Sequence, residues 1–170
     1  MNELGGSNDR VSIIVAVAEM DSRLTSVLRA SLLPVGKNDD DDSLFGSDRP
    51  LSSFSARIHL AYRLGLIDDS FARALHLIRK MRNEFAHATM PGSLNESPHK
   101  ERVMQLLQLF PKSKQHRELE DDVVSDKDYP SLARLLICLI LQRLAEIKAK
   151  PASSLSATKL TSLGDDLAGL

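Results

Sequence analysis

The chain has a single cysteine, Cys138, and no tryptophan. One cysteine excludes an intramolecular disulfide and any thiolate metal cluster. It lies in the run Leu135-Leu136-Ile137-Cys138-Leu139-Ile140, where it reads as a small buried hydrophobe. Aromatic residues make up 4% of the sequence, too few to build stacking platforms for sugars or single-stranded nucleic acid. A basic surplus is also missing. The net charge is −1 and the pI near 6.5, so affinity carried mainly by phosphate contacts is not expected. A local basic patch is the electrostatic route that this balance leaves open.

Other absences narrow the function further. No basic segment precedes an apolar one at the start, so no secretory signal is read there. The apolar run Leu132–Leu141 is interrupted by Arg134 and is too short for a membrane span. A cytoplasmic protein without a membrane role is expected. No HExxH or paired His–carboxylate spacing points to a metal, and no G-x-S-x-G, Walker A or dinucleotide fingerprint occurs. Neither a metal nor a cofactor is expected. The run Asp39-Asp40-Asp41-Asp42 lacks the alternating spacers, turn glycine and closing glutamate of a calcium loop, and reads as a solvated acidic loop.

What is present is helical periodicity. At 170 residues the chain suits one domain with an adequate core, and its apolar content of 42% is ordinary for a globular protein. Asp9 is a candidate N-cap for a long helix to about Leu33, stopped by Pro34 and Gly36, with a seam of Ile14, Val17, Asp21, Leu24 and Leu28. A second helix is expected between Pro50 and Gly65, capped by Ser52 or Ser53 and using Phe54, Ile58, Ala61 and Leu64. A third runs from Asp68 or Asp69 to about His87. A fourth covers roughly His99 to Phe110, with Val103, Leu106, Leu107 and Phe110 inside. Pro111–Tyr129 reads as a linker. The last helix, from Pro130 to about Lys148, has a broad apolar face of Leu132, Leu135, Leu136, Leu139, Ile140, Leu144 and Ile147. A helix this apolar is either central in its bundle or shared with a second subunit. The fold class expected is all-α, a compact antiparallel bundle of about four to five helices. It forms a single helical domain over 9–150 with a disordered Ser- and Ala-rich tail over 151–170.

Three charged residues interrupt these apolar stripes. Phe71, Leu75, Ile78, Arg82 and Phe85 share a helix face, Asp21 breaks the first seam, and Arg57 borders the second. If the stripes meet in one core, Asp21, Arg57 and Arg82 form a polar cluster, because a buried guanidinium is costly unless a carboxylate or several acceptors meet it. In one reading this cluster is a salt-bridge network that fixes helix register, with His87 capping its helix. In a second it is a polar pocket that binds a ligand, and in a third Arg82 and His87 are catalytic, with the arginine stabilising phosphorane charge and the histidine moving a proton. Residues five apart on a regular helix point about 140° away from each other. The catalytic reading therefore requires the helix to end or change pitch near Ala86.

The segments Pro50-Leu51-Ser52-Ser53-Phe54-Ser55-Ala56-Arg57-Ile58, Leu60–Ile67 and Ile78–His87, in that order, resemble the mannitol operon repressor (MltR-like) family of bacterial proteins. The resemblance runs from about Val11 to His87. It implies a compact all-helical transcriptional regulator without an evident helix-turn-helix, acting through protein partners. Consistent with that, no second helix here carries a basic recognition face for direct DNA binding. The family resemblance explains neither the acidic loop nor the Ser-rich tail. Arg82-Asn83-x-x-x-His87 is also similar to the Arg-polar-x-x-x-His signature of the HEPN helical superfamily, which includes dimeric ribonucleases. That similarity implies Arg82 and His87 as a catalytic pair with Asn83 beside them, and RNA as the partner. The expectation carried forward is a non-enzymatic regulator or adaptor with a protein partner and a homodimeric state. A HEPN-like metal-independent ribonuclease or RNA-binding protein using Arg82 and His87 is the alternative.

Overall fold

Helices supply all the regular structure among the described residues, and no strand occurs there. The structure is a computed structural model that describes residues 3–33, 43–88, 92–110, 121–122, 125–126 and 128–148. The helices are α1 (Glu3–Ser31), α2 (Phe54–Arg63), α3 (Asp69–His87), α4 (His99–Gln108) and α5 (Tyr129–Glu146). The acidic run Asp39–Asp42, most of the linker after Phe110 and the tail over 151–170 lie outside the described residues.

Local chemistry sets the helix ends. Ser53 caps α2 by accepting from Ala56 N, and Asp68 caps α3 by accepting from Phe71 N at 2.8 Å. Asp128 does the same for α5 through Ser131 N, with Pro130 in the first turn where its missing N–H costs nothing. At the end of α2, Gly65 takes a φ of 66°, which only glycine adopts readily. Leu66 N then reaches back to Ala61 O and Gly65 N to Tyr62 O, a Schellman stop.

α1 packs against α2, α3 and α5, α3 against α2 and α4, and α4 against α5. The buried residues form one hydrophobic cluster that runs through all five helices. Arg10, near the start of α1, donates to Ala86 O at 3.4 Å and Ala88 O at 3.5 Å, so α1 and α3 run antiparallel. Its charge sits at the negative end of the α3 dipole.

Several details differ from the sequence-based expectation. α1 begins at Glu3, before Asp9, which is therefore no N-cap. Asp9 is instead buried at 3% exposure, accepting from Leu94 N at 3.2 Å and pairing with Arg134 at 3.5 Å. The inner face of α1 is Ile13, Val17, Met20, Leu24 and Leu28, so Ile13 replaces Ile14 and Met20 takes the place beside Asp21. Leu64 is exposed because it follows the last turn of α2. Cys138 is also exposed. The inner face of α5 is Leu132, Leu136, Ile137, Ile140 and Leu144, and Cys138 lies about 100° beyond Ile137. α5 is not central in the bundle, and Leu135 and Leu139 stay about two-fifths exposed on it.

Candidate functional site

The first polar constellation joins α1, α2 and the loop before α2. Arg57 Nη1 donates to Asp21 Oδ1 at 2.7 Å, Nε to Leu51 O at 2.7 Å, and Nη2 to Ser52 O at 3.3 Å. Every arm of the fork is thus occupied. Phe45, buried under this loop, receives the Arg29 guanidinium at 4.5 Å and Arg57 at 5.9 Å from its ring centre. The arrangement clasps two helices to a loop, with each nitrogen of Arg57 engaged.

Arg82 stands apart from it. No hydrogen bond or ion pair ties Arg82 to Asp21 or to Arg57. The centre of the α3 inner face belongs to Ile78, Met81 and Phe85, and Arg82, about 100° past Met81, is only partly buried. Asn83 is also partly buried, and His87 is exposed as the last residue of the helix. α3 stays helical through His87, so within one chain Arg82 and His87 point to different sides of it.

A second constellation was invisible in the sequence. Glu84 pairs with Arg102 of α4, whose side chain is 11% exposed. His99 lies beside the same carboxylate at 3.7 Å, too far for a hydrogen bond, and stacks on Phe85 with ring centres 4.1 Å apart and planes 13° from parallel. Burial lowers the His99 pKa below 6.5. The Glu96 and Glu101 charges oppose this without reversing it, and Glu84 is already taken by Arg102. Gly92 packs against this stack, since a Cβ there would meet Phe85 Cε1 at 3.4 Å and His99 Nε2 at 3.5 Å. Glu84 and Arg102 sit on helices whose individual patterns make both look solvent-facing, so only the α3–α4 packing reveals the pair.

Two cavities among the described residues bear on function. One of about 630 Å³ lies where the start of α3 meets the ends of α4 and α5. Its walls are mainly Leu66, Phe71, Leu109, Phe110, Ile140 and Ile147, with Arg143 and Glu146 at the mouth. The other, about 530 Å³, is a groove between α3 and α4, with Leu77 and Leu109 inside and Arg73, Arg79 and Lys80 along one wall. Neither cavity is lined by Arg82 or His87. His76 also lines the groove, with its ring centre 4.8 Å from that of His59 on α2. Its pKa is lowered, first by burial and then by the His59 and Arg79 charges. Among the described residues no three His, Cys, Asp or Glu side chains come together as a metal site, and no helix is long and apolar enough to cross a membrane.

No family model matches the chain, and no curated protein matches it. Among solved structures, the chain is similar in fold to a chain of the X-ray structure of the MtlR–HPr complex from Escherichia coli. The TM-score is 0.59 at 17% identity, covering 80% of this chain and 89% of that one. At this identity the likeness is one of fold.

Proposed function

We propose that this protein is a non-enzymatic transcriptional regulator or adaptor, akin to the mannitol operon repressor family, that works in the cytoplasm through protein contacts. The observation that carries the reading is the shared fold, over most of both chains, with a protein crystallised as a complex with HPr. The side chains that could have done chemistry support it. Asp21 and Arg57 are spent on each other and on backbone carbonyls, and Glu84 on Arg102. The ribonuclease alternative requires Arg82 and His87 to converge, and a helix that continues through His87 separates them within one chain. The protein's own HPr, from the organism that encodes this chain, is the first partner to try. Isothermal titration should give a saturable one-to-one heat, with no RNA cleavage in parallel assays. Absence of binding at millimolar concentration, together with cleavage that His87→Ala abolishes, would overturn the proposal in favour of the ribonuclease.

A further inference from the structure

The charge of this chain is unevenly placed. Overall it is −1, yet from Ala72 to Asn83 α3 carries Arg73, Arg79, Lys80 and Arg82 and no acid. Three of these four cations line the groove between α3 and α4. Arg73 is partly answered by Asp69 at 3.0 Å, but both side chains are more than three-fifths exposed, where such a pair contributes little. Arg79 Nε has no hydrogen-bond partner among the described residues, so no acceptor within the bundle answers that arm of the guanidinium. His76, whose pKa is lowered first by burial and then by the His59 and Arg79 charges, lines the same groove. On the α4 side the wall is neutral, formed by Gln105 and Gln108. Glu101, one turn before Gln105, is held at the start of α4 by Ser97 Oγ at 2.6 Å.

We infer that this groove docks a peptide segment of a protein partner in which acidic residues alternate with leucine-like ones. The inference rests on the protein-contact reading above and names the chemistry of the partner. Carboxylates meet Arg79 and Lys80 in charge-assisted hydrogen bonds. Apolar side chains cover Leu77 and Leu109, and the Gln105 amide serves the peptide backbone. A groove of about 530 Å³ accommodates a few side chains, the anchor of a segment and not a whole domain. The apolar floor decides between a peptide and a nucleic acid. A phosphate backbone gains nothing from leucine, and no Phe, Tyr or Trp lines the groove; its one ring, the His76 imidazole, already lies 4.8 Å from that of His59.

The test is a selection of random dodecapeptides displayed on phage, with the full chain as bait and Arg79→Glu/Lys80→Glu as counter-bait. Both substituted residues line an open groove, so circular dichroism and Tm should match wild type and verify that the counter-bait is folded. Peptides that survive should be rich in Asp and Glu beside Leu, Ile or Met. Their affinity should fall roughly tenfold or more in the double variant and weaken with salt. Serine in place of the peptide leucines should also weaken binding. If no peptide discriminates the two baits, or the survivors carry no acidic bias, the inference is wrong. A labelled oligouridine that binds more tightly than any selected peptide, and is lost in the same double variant, would assign the groove to nucleic acid instead. Failure of the peptides with HPr binding intact removes the groove and leaves the protein-contact reading standing. Failure of HPr with the peptides intact replaces that partner and keeps the groove.

Discussion

Arg57 and Arg79 both flank the apolar stripe of a helix, and the structure uses them in opposite ways. Arg57 faces α1 and finds Asp21, Leu51 O and Ser52 O, so every nitrogen of its guanidinium has a partner within the bundle. Arg79 faces the groove between α3 and α4, where the wall across from it is glutamine, and its Nε remains unmatched among the described residues. A cation beside an apolar stripe is absorbed into the architecture when the neighbouring element supplies a carboxylate or free carbonyls. Otherwise it stays available to a partner. By this comparison the α1–α2 contact is a clasp and the α3–α4 groove a surface for use.

The comparison breaks first at the buried pairs. Arg102→Ala strands the Glu84 carboxylate, and because Glu84 keeps some contact with water the loss should be about 3 kcal/mol, at the lower end for a broken buried pair. Urea unfolding measures it, and a loss below about 0.5 kcal/mol would show that the pair does not hold α4 in place. Arg57→Ala removes a charged hydrogen bond to a half-buried Asp21 and two to carbonyls, and should cost roughly 2 kcal/mol in the same titration.

A smaller effect tests the His99 stack. Burial holds the His99 pKa below the unfolded value, so the unfolded chain takes the proton first as pH falls. Its contribution is therefore complete above about pH 6.5 and drains away below it, levelling only once the native histidine also protonates. His76 should add to the slope with the same sign. Unfolding free energies at roughly pH 7.5 and 5.5 should differ in that direction, and His99→Gln should flatten the difference. A stability that rises on acidification would mean that Glu84 governs His99 after all. The smallest effects belong to the surface. His87→Ala and Leu139→Glu should each change stability by no more than about 0.5 kcal/mol. If Leu135 and Leu139 form a dimer seam, Leu139→Glu should convert dimer to monomer in light scattering. An unchanged mass would remove α5 as that seam.

Much of the fold was legible because helix signals are local. Ser53, Asp68 and Gly65 carry out the cap and stop chemistry that their residue types suggest. The Asp21–Arg57 contact was legible for a related reason, since each residue interrupts or borders an apolar stripe and invites a partner on another helix. Arg82 shares that sequence character but lies off the inner face, because Met81 fills the central position and needs no partner. Asp9 looked like a cap because residues before it include glycines and polar side chains. Helix α1 nevertheless continues to Glu3, and the carboxylate of Asp9 serves Leu94 and Arg134, both far along the chain. Glu84, Arg102 and His99 were illegible for the same reason. Their pairing depends on how α3 and α4 pack, and no local spacing encodes it.

The most direct measurement is the unfolding free energy of Arg57→Ala and of Arg79→Glu/Lys80→Glu, determined side by side in one urea series. The account predicts a loss of about 2 kcal/mol for the first and about 0.5 kcal/mol or less for the second, since Arg57 loses bonds to Asp21 and two carbonyls while the buried Nε of Arg79 has no partner to lose among the described residues. A double variant that unfolds as readily as Arg57→Ala, or an Arg57→Ala as stable as wild type, would contradict it.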